Sequence, residues 1–236
     1  AATIDQLSDG RLDLGIGAGW LEQEFDAFGY RYGDVGERFS QMEETFAALG
    51  ALFSGRPASM EGTFFTLDQA PLLPGPVQQP RIPLWIGGKG GPRLLRLAAR
   101  HADGWNAAWR WTPAAYAERV DAARAACATE GRDPATLRLS VGMYSLLAED
   151  ERGYEALFAR GRAAMPGGAI DNDNSATWRA DTLSGTPADA LERITEFEAL
   201  GVEEIIVAPW VLPFAIPEPS IVELFAERVM NPARRR

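Results

Sequence analysis

One stretch of the chain decides the fold: residues 83–92 read PLWIGGKGGP. Its apolar run, Leu84–Ile86, has the composition of a short buried strand. The glycines that follow predict a tight turn. Pro92 suits the first turn of a helix, which we expect to continue to about Arg100. The stretch therefore predicts a strand joined by a glycine turn to a helix.

The same order of strand and helix recurs on both sides of this stretch. Toward the amino terminus, RLDLGIG at residues 11–17 predicts a strand, and a helix follows at about 36–53. Toward the carboxyl terminus, strands are predicted at 104–107, 137–144 and 204–208, and helices at 112 onward, 151–163, 186–200 and 220–229. Five such units imply a parallel sheet covered by helices. Two α/β architectures stay open: a doubly wound sheet, or a (β/α)8 barrel with three units before residue 1.

Two segments interrupt this alternation. Five prolines between residues 71 and 83 forbid a helix, and two short extended pieces flank Glu61-Gly62, so we expect an inserted excursion at about 56–83. The segment at about 164–182 is rich in Gly, Asn and Asp and is expected to be a long loop. The last three arginines, 234–236, are expected to fray. We otherwise expect a single domain over residues 1–236.

Composition excludes several classes of function. Lys and Arg total 23 against 33 Asp and Glu, and the resulting net charge of −10 argues against nucleic acid or an anionic membrane as the main partner. One cysteine excludes an internal disulfide, and one histidine excludes a histidine-cluster metal site. The sequence shows no signal peptide and no uninterrupted apolar run of membrane-spanning length. We therefore expect a cytoplasmic protein without a metal centre.

The glycine turn after the strand at 84–86 also predicts chemistry. Gly88, Gly90 and Gly91 let backbone N–H groups approach an anion, the following helix contributes its partly positive end, and Lys89 adds a full charge. This is the chemistry of a phosphate cradle, although the spacing is neither a Walker A loop nor G-x-G-x-x-G. The alternative is that the glycines serve only the tight turn.

A second glycine turn follows the strand at 11–17. Gly17, Ala18 and Gly19 leave room for a flat ligand that Trp20 could border, and a simple turn with a packed Trp is the alternative. Glu22 and Glu24 come next and could face a pocket, and a solvated helix face is at least as good an interpretation.

Three further residues are interpreted as structural. His101 lies near a predicted helix end, Cys127 falls on the core face of a helix, and Asp103 precedes a strand. No Ser–His–Asp or Cys–His set occurs, so an enzyme of this sequence would rely on a bound cofactor.

The run Trp109-Arg110-Trp111 follows the third predicted strand, on the side where ligands bind. These side chains could line the mouth of a pocket, or they could be ordinary packing with a surface charge.

Four motifs occur in a fixed order: LGIGAGW at 14–20 with Glu24-Phe25, PLWIGG at 83–88, AARHADGWN at 98–106, and Gly185-Thr186-Pro187 with Gly201-Val202. Together they resemble the bacterial luciferase-like monooxygenase family, and most closely its branch that depends on the deazaflavin coenzyme F-420. The resemblance extends from about residue 1 to residue 229.

The resemblance implies a TIM barrel in which the five strands correspond to the fourth to the eighth, so that the natural protein is expected to be longer. It implies that the cofactor is bound by these residues: Gly17, Ala18, Gly19, Trp20, Gln23, Gly88, Lys89, Gly90 and Gly91. Deazaflavin sugar-phosphate dehydrogenases carry Glu and Asn where Trp20 and Gln23 stand here, which argues against such a substrate. The family's proton donor often comes from early strands that this sequence does not show, so no catalytic acid is named.

The resulting hypothesis is an oxidoreductase that acts on a small organic substrate, by hydride transfer with coenzyme F-420 or by oxygen activation if the cofactor is FMN. Two alternatives belong to other classes: a phosphate-binding lyase or isomerase, and a non-catalytic flavin-binding or pairing subunit. The resemblance further implies a homodimer or a higher homo-oligomer.

Overall fold

A computed structural model gives the structure of residues 1–166, 168, 170–212, 216 and 219–233. The elements in chain order are α1 (Ala2–Leu7), β1 (Leu14–Ile16), α2 (Glu22–Ala27), α3 (Val35–Leu52), β2 (Ala58–Glu61), β3 (Thr66–Ala70), β4 (Leu84–Gly87), α4 (Pro92–His101), β5 (Gly104–Trp109), α5 (Pro113–Thr129), β6 (Arg138–Tyr144), α6 (Glu151–Ala164), α7 (Ser175–Ala180), α8 (Pro187–Ala199), β7 (Val202–Ala208), α9 (Pro219–Phe225) and α10 (Asn231–Ala233). A π-helical turn, Ala226–Met230, joins α9 to α10.

Five strands form one parallel sheet in the order β1-β4-β5-β6-β7, and β2 pairs with β3 as a separate antiparallel hairpin. All five predicted strands are confirmed, with boundaries that shift by a few residues. β7, for example, begins at Val202 rather than at residue 204. The β2–β3 hairpin lies within the expected excursion at about 56–83, which stays a prediction.

The described residues divide into two compact units. Unit 1 contains residues 1–106 and 122–138, and unit 2 contains residues 107–121 and the described residues from 139 onward. The boundary passes through β5. The single domain expected from the sequence stays a prediction.

In unit 1, α3 anchors the hairpin. Asp34 caps α3 by accepting from the N–H of Glu37 at 2.8 Å, and Met42 and Phe46 are buried on its inner face. The Glu44 carboxylate of α3 accepts from the amides of Thr63 and Phe64, at 2.8 Å each. The bond from Phe64, with those from neighbouring amides, lowers the pKa of Glu44 below its usual value.

In unit 2, α8 begins as its sequence predicts. Thr186 and Asp189 form a capping box, and Pro187 occupies the first turn. Gly201 ends the helix region with a φ of +93°, as expected for a glycine after a helix.

One prediction in unit 2 is wrong. The segment at about 164–182 is not a loop throughout, because α7 lies within it. Asn174 and Thr177 form a capping box that starts α7, and Trp178 is the buried residue of this helix. The expectation for residues 234–236 lies outside the described residues.

Candidate functional site

The two glycine turns lie side by side in unit 1. β1 and β4 are parallel, with Ile16 opposite Ile86, so their carboxyl ends meet at the same level of the sheet. A Cβ atom on Gly17 would lie 3.7 Å from the carbonyl oxygen of Gly87. The structure therefore brings both predicted cofactor turns together at the end of the sheet where α/β proteins bind ligands.

The turn after β4 has a fixed backbone. The N–H of Gly88 donates to the carbonyl of Asn106 at 3.0 Å, and the indole Nε1 of Trp105 donates to the carbonyl of Gly88 at 3.0 Å. Gly88 has a φ of +151°, and a Cβ there would lie 2.5 Å from Cδ1 of Leu94. Only glycine fits this position, which places the turn backbone directly against β5 and α4.

The amino end of α4 is open. Gly91 is its N-cap residue and Pro92 its first residue, no side chain caps the helix, and its first turn carries no acidic residue. A Cβ on Gly91 would have no atom within 4 Å. Gly90 is buried with a φ of +69°, and Lys89 is exposed in the same turn. A helix of ten residues with a free amino end and a lysine beside it attracts an anion.

The turn after β1 is shaped by an aromatic ring. Gly19 has a φ of +74°, and a Cβ there would lie 2.7 Å from the Phe25 ring. Trp20 is 77% exposed, and Gln23 is exposed on α2. The structure thus places Gly17, Ala18 and Gly19 beside the second turn but leaves Trp20 and Gln23 in solvent, and the role of these residues in cofactor binding stays a prediction.

The opposite end of the sheet in unit 1 holds structural contacts. Asp103 accepts from Nη2 of Arg81 at 3.0 Å and from the N–H of Leu84 at 2.7 Å. His101 is partly buried at the end of α4, and burial lowers the pKa of its imidazole. Cys127 is fully buried, and burial raises the pKa of its thiol. The hydrogen bonds of Asp103 and the burial of His101 and Cys127 agree with the structural interpretation of all three residues.

Unit 2 has an aromatic stack at the carboxyl ends of its strands. The rings of Trp109 and Tyr144 lie 5.6 Å apart, those of Tyr144 and Trp178 lie 5.5 Å apart, and both pairs are stacked. Gly142 leaves the space for this arrangement, because a Cβ there would lie 3.1 Å from the Trp109 ring. Trp111 is buried and meets Tyr116 edge to face.

Arg110 is bound by two carboxylates. Its Nη1 donates to Asp173 at 2.7 Å, its Nε donates to Asp181 at 3.0 Å, and its guanidinium lies 4.8 Å from the centre of the Trp178 ring. Burial alone would lower its pKa, and the bonds to both carboxylates raise it instead. Of the two interpretations of Trp109-Arg110-Trp111, the structure favours packing.

Sequence reasoning missed Asp173, Asp181 and Trp178. They lie in the segment interpreted as a loop, and only the helical signal of α7, the spacing from Asn174 to Thr177, could have drawn attention to it. Within the described ranges, no group of three or more His, Cys, Asp and Glu side chains is arranged to hold a metal ion. No helix among those residues is long and apolar enough to cross a bilayer.

The sequence and the structure both match known proteins. The profile of the luciferase-like monooxygenase family matches residues 1–204. The FMNH2-dependent dimethylsulfone monooxygenase of Pseudomonas fluorescens is 29% identical over an alignment that covers 97% of this chain and 67% of that protein. The F-420-dependent hydroxymycolic acid dehydrogenase of Mycobacterium tuberculosis is 31% identical over 73% of this chain and 46% of its own length. The chain thus spans between about half and two thirds of these relatives.

Among solved structures, the coenzyme F-420-dependent tetrahydromethanopterin reductase of Methanopyrus kandleri aligns with 98% of this chain and 76% of its own, with a TM-score of 0.77 and 20% identity. This reductase and similar solved structures have the TIM-barrel fold of the luciferase-like type. The five-stranded parallel sheet of this chain corresponds to part of such a barrel. This confirms the predicted fold class. The assignment of the strands as the fourth to the eighth stays a prediction.

Proposed function

The chain belongs to the luciferase-like monooxygenase family, and on that premise we propose that it is part of an oxidoreductase that binds a deazaflavin or flavin cofactor and acts on a small organic substrate. The phosphate of the cofactor lies on Gly88, Lys89, Gly90 and Gly91. When bound, reduced coenzyme F-420 supplies a hydride, and reduced FMN activates oxygen. Both cofactors carry a phosphate, so the same cradle serves either.

One observation carries this proposal: the amino end of α4 is uncapped behind a turn of three glycines. The first amide groups of a helix need partners from outside the helix, and the N-cap residue Gly91 has no side chain to supply one. The open space at Gly91 and the backbone of Gly88, fixed against β5, leave a preformed seat for an anionic group. The chain's contribution at this seat is to bind and orient the cofactor.

The flat ring system would lie over the neighbouring turn. Gly15 and Gly17 are exposed at the end of β1, and a Cβ on Gly15 would have no atom within 4 Å. Small residues there leave the strand end open to a planar group. No side chain in the described ranges is assigned as a catalytic acid or base.

The cofactor we propose is coenzyme F-420, because the sequence motifs resemble the deazaflavin branch. FMN is the second candidate, since the dimethylsulfone monooxygenase, whose alignment covers 97% of this chain, depends on FMNH2. A homodimer or a higher homo-oligomer belongs to the same proposal and is tested by the mass of the protein in solution.

The two rival classes have less support. A lyase or isomerase would use a Lys or a carboxylate at a strand end, whereas Lys89, the only lysine in the sequence, lies in the glycine turn. A non-catalytic pairing subunit would show no turnover linked to a cofactor, although it could bind one.

The test compares Gly91→Asp with Gly91→Asn. Gly91 has a φ of −66° and open surroundings, so both side chains fit, and both are favourable N-cap residues that should keep or raise the stability. Only Asp places a negative charge on the seat. Fluorescence titration with F-420 and FMN, each oxidised and reduced, should show binding by the unmodified chain. The cofactor affinity of Gly91→Asp should be at least about tenfold lower than that of Gly91→Asn.

Two results would count against the proposal. Equal cofactor affinities of the Asp and Asn variants would show that the phosphate does not bind at the amino end of α4. Failure of the unmodified chain to bind either cofactor would remove the redox assignment for this chain.

A further inference from the structure

The segment Trp20–Arg31, called here the lid segment, packs very little against the rest of unit 1. It contains α2, none of whose residues is buried, and α2 has no side-chain cap. Within the lid segment only Leu21 and Phe25 are half-buried, and the other ten residues are exposed. An element with so little buried surface opens locally at a low free-energy cost.

Two glycines with left-handed backbone lie at the ends of α2 and its flanking residues, one just before the lid segment and one within it. Gly19, just before it, has a φ of +74°, and Gly29, near its end, has a φ of +72°. A Cβ on Gly29 would have no atom within 4 Å, so this conformation is not forced by a close neighbour. Glycines change φ more freely than other residues, so both positions can act as hinges.

The residues after the lid segment are firmly held. The Arg38 guanidinium lies 3.9 Å from the centre of the Tyr32 ring and donates to the carbonyl of Gly33, and Asp34 caps α3. Three contacts link this anchor to the lid segment directly: Phe25 and Tyr32 form an edge-to-face pair at 5.0 Å, the Tyr32 hydroxyl donates to the carbonyl of Trp20 at 3.1 Å, and Arg31 forms an ion pair with Glu37. The lid segment is therefore a strap held at its two ends, at Trp20 and Arg31, with the exposed α2 between them, and its near end continues from the turn Gly17–Gly19.

Three large aromatic side chains of this strap are in solvent. Trp20 and Phe28 are each 77% exposed, and Tyr30 is 70% exposed. Exposed aromatics this close together in sequence mark a surface that is covered in another state. The strap begins directly at the end of β1, where a ligand of this sheet binds.

We propose that Trp20–Arg31 is a lid that closes over the cofactor bound at the carboxyl end of β1 and buries Phe28 and Tyr30 as it closes. The inference rests on the proposed function, because the bound cofactor is what the lid covers. Closure would exclude water from the reacting ring and slow release of the cofactor. The aromatic side chains contribute to the closed state and not to the stability of the free protein.

Hydrogen exchange measured by mass spectrometry tests closure. In the free chain, amides of residues 20–31 should exchange faster than those of α3, and F-420 or anaerobic reduced FMN should slow them at least about tenfold. The hairpin at residues 58–70 serves as the internal reference, and its exchange should stay unchanged. The molecular mass of the same samples is measured by analytical ultracentrifugation. If protection increases with protein concentration, the aromatic surface is covered by a second copy of the chain, and the lid is overturned.

A double variant separates a lid from a merely exposed helix. Phe28→Ser with Tyr30→Ser should leave the melting temperature of the free protein unchanged and raise the cofactor dissociation rate at least about fivefold. Leu73→Ser is the matched control: Leu73 is 84% exposed in unit 1 and outside the lid segment, and its replacement should leave both quantities unchanged. Binding without protection of residues 20–31, or equal dissociation rates in the double variant and the control, would overturn the lid alone. Absence of binding to either cofactor would overturn the proposed function and the lid with it.

Discussion

The indole Nε1 of Trp105 donates a hydrogen bond to the carbonyl oxygen of Gly88 at 3.0 Å, so a fully buried residue of β5 holds the proposed phosphate turn in place. Trp105→Phe removes this donor and keeps an aromatic ring. We expect the free energy of unfolding to fall by about 2 kcal/mol, from the lost bond and the smaller ring, and the cofactor affinity to fall with it. Urea denaturation and cofactor titration measure the two effects.

The neighbouring strand offers a matched control. Trp85 is also buried in β4, but its Nε1 has no hydrogen-bond partner in the described part of the chain. Trp85→Phe therefore removes a similar volume and no bond. If both variants lose equal cofactor affinity, the bond to Gly88 does not position the turn.

Lys89 should act on the cofactor as a charge. Lys89→Gln is expected to weaken binding of an anionic cofactor by roughly threefold to tenfold at low salt, with a smaller difference at high salt, because mobile ions screen an exposed charge. Arg96→Gln is the control, since Arg96 is an exposed cation on α4 beyond its first turn. Titrations at two ionic strengths decide the matter, and a salt-independent loss, or the same loss in both variants, would exclude an electrostatic role.

The β2–β3 hairpin should depend on pH through Glu44. Its pKa is held below the usual value by the amides of the hairpin turn, so the folded state favours the ionised form. The stabilising contribution is then fully present above the ordinary pKa of a glutamate and is lost as the pH falls through the lowered folded value. Glu44→Gln should lower the melting temperature by a few degrees near neutral pH and reduce its acid dependence. Glu61→Gln, an exposed position in the hairpin itself, should do neither.

The strands and the glycine turns could be predicted because their signals are local. Gly88, Gly90 and Gly201 adopt positive φ values that other residues rarely take, and Pro92 and Pro187 begin helices where their fixed φ belongs. These features need only the residues next to them, so a single sequence shows them.

The remaining features depend on partners that are distant in sequence. Arg110 meets Asp173 and Asp181, which are 63 and 71 residues away, and no local pattern indicates that pairing. The exposure of Trp20 could not be predicted either, because a Trp after a glycine turn is usually packed. The direction of a side chain is set by packing of the whole unit.

Arg110 and Asp173 should be energetically coupled. Their side chains are 23% and 15% exposed, so each loses part of its hydration, and the remaining partner of a broken pair is left uncompensated. We expect Arg110→Gln to lower the free energy of unfolding by about 2 kcal/mol, and a double-mutant cycle with Asp173→Asn to give a coupling of about 1 kcal/mol. The control is the ion pair of Arg228 and Glu149, whose side chains are 55% and 61% exposed, and its coupling energy should be less than about 0.5 kcal/mol. Urea denaturation of the single and double variants supplies both cycles. Because Asp173 and Asp181 flank α7, loss of the pair should also speed hydrogen exchange at residues 175–180, and equal coupling in the two cycles would mean that Arg110 does not hold this segment.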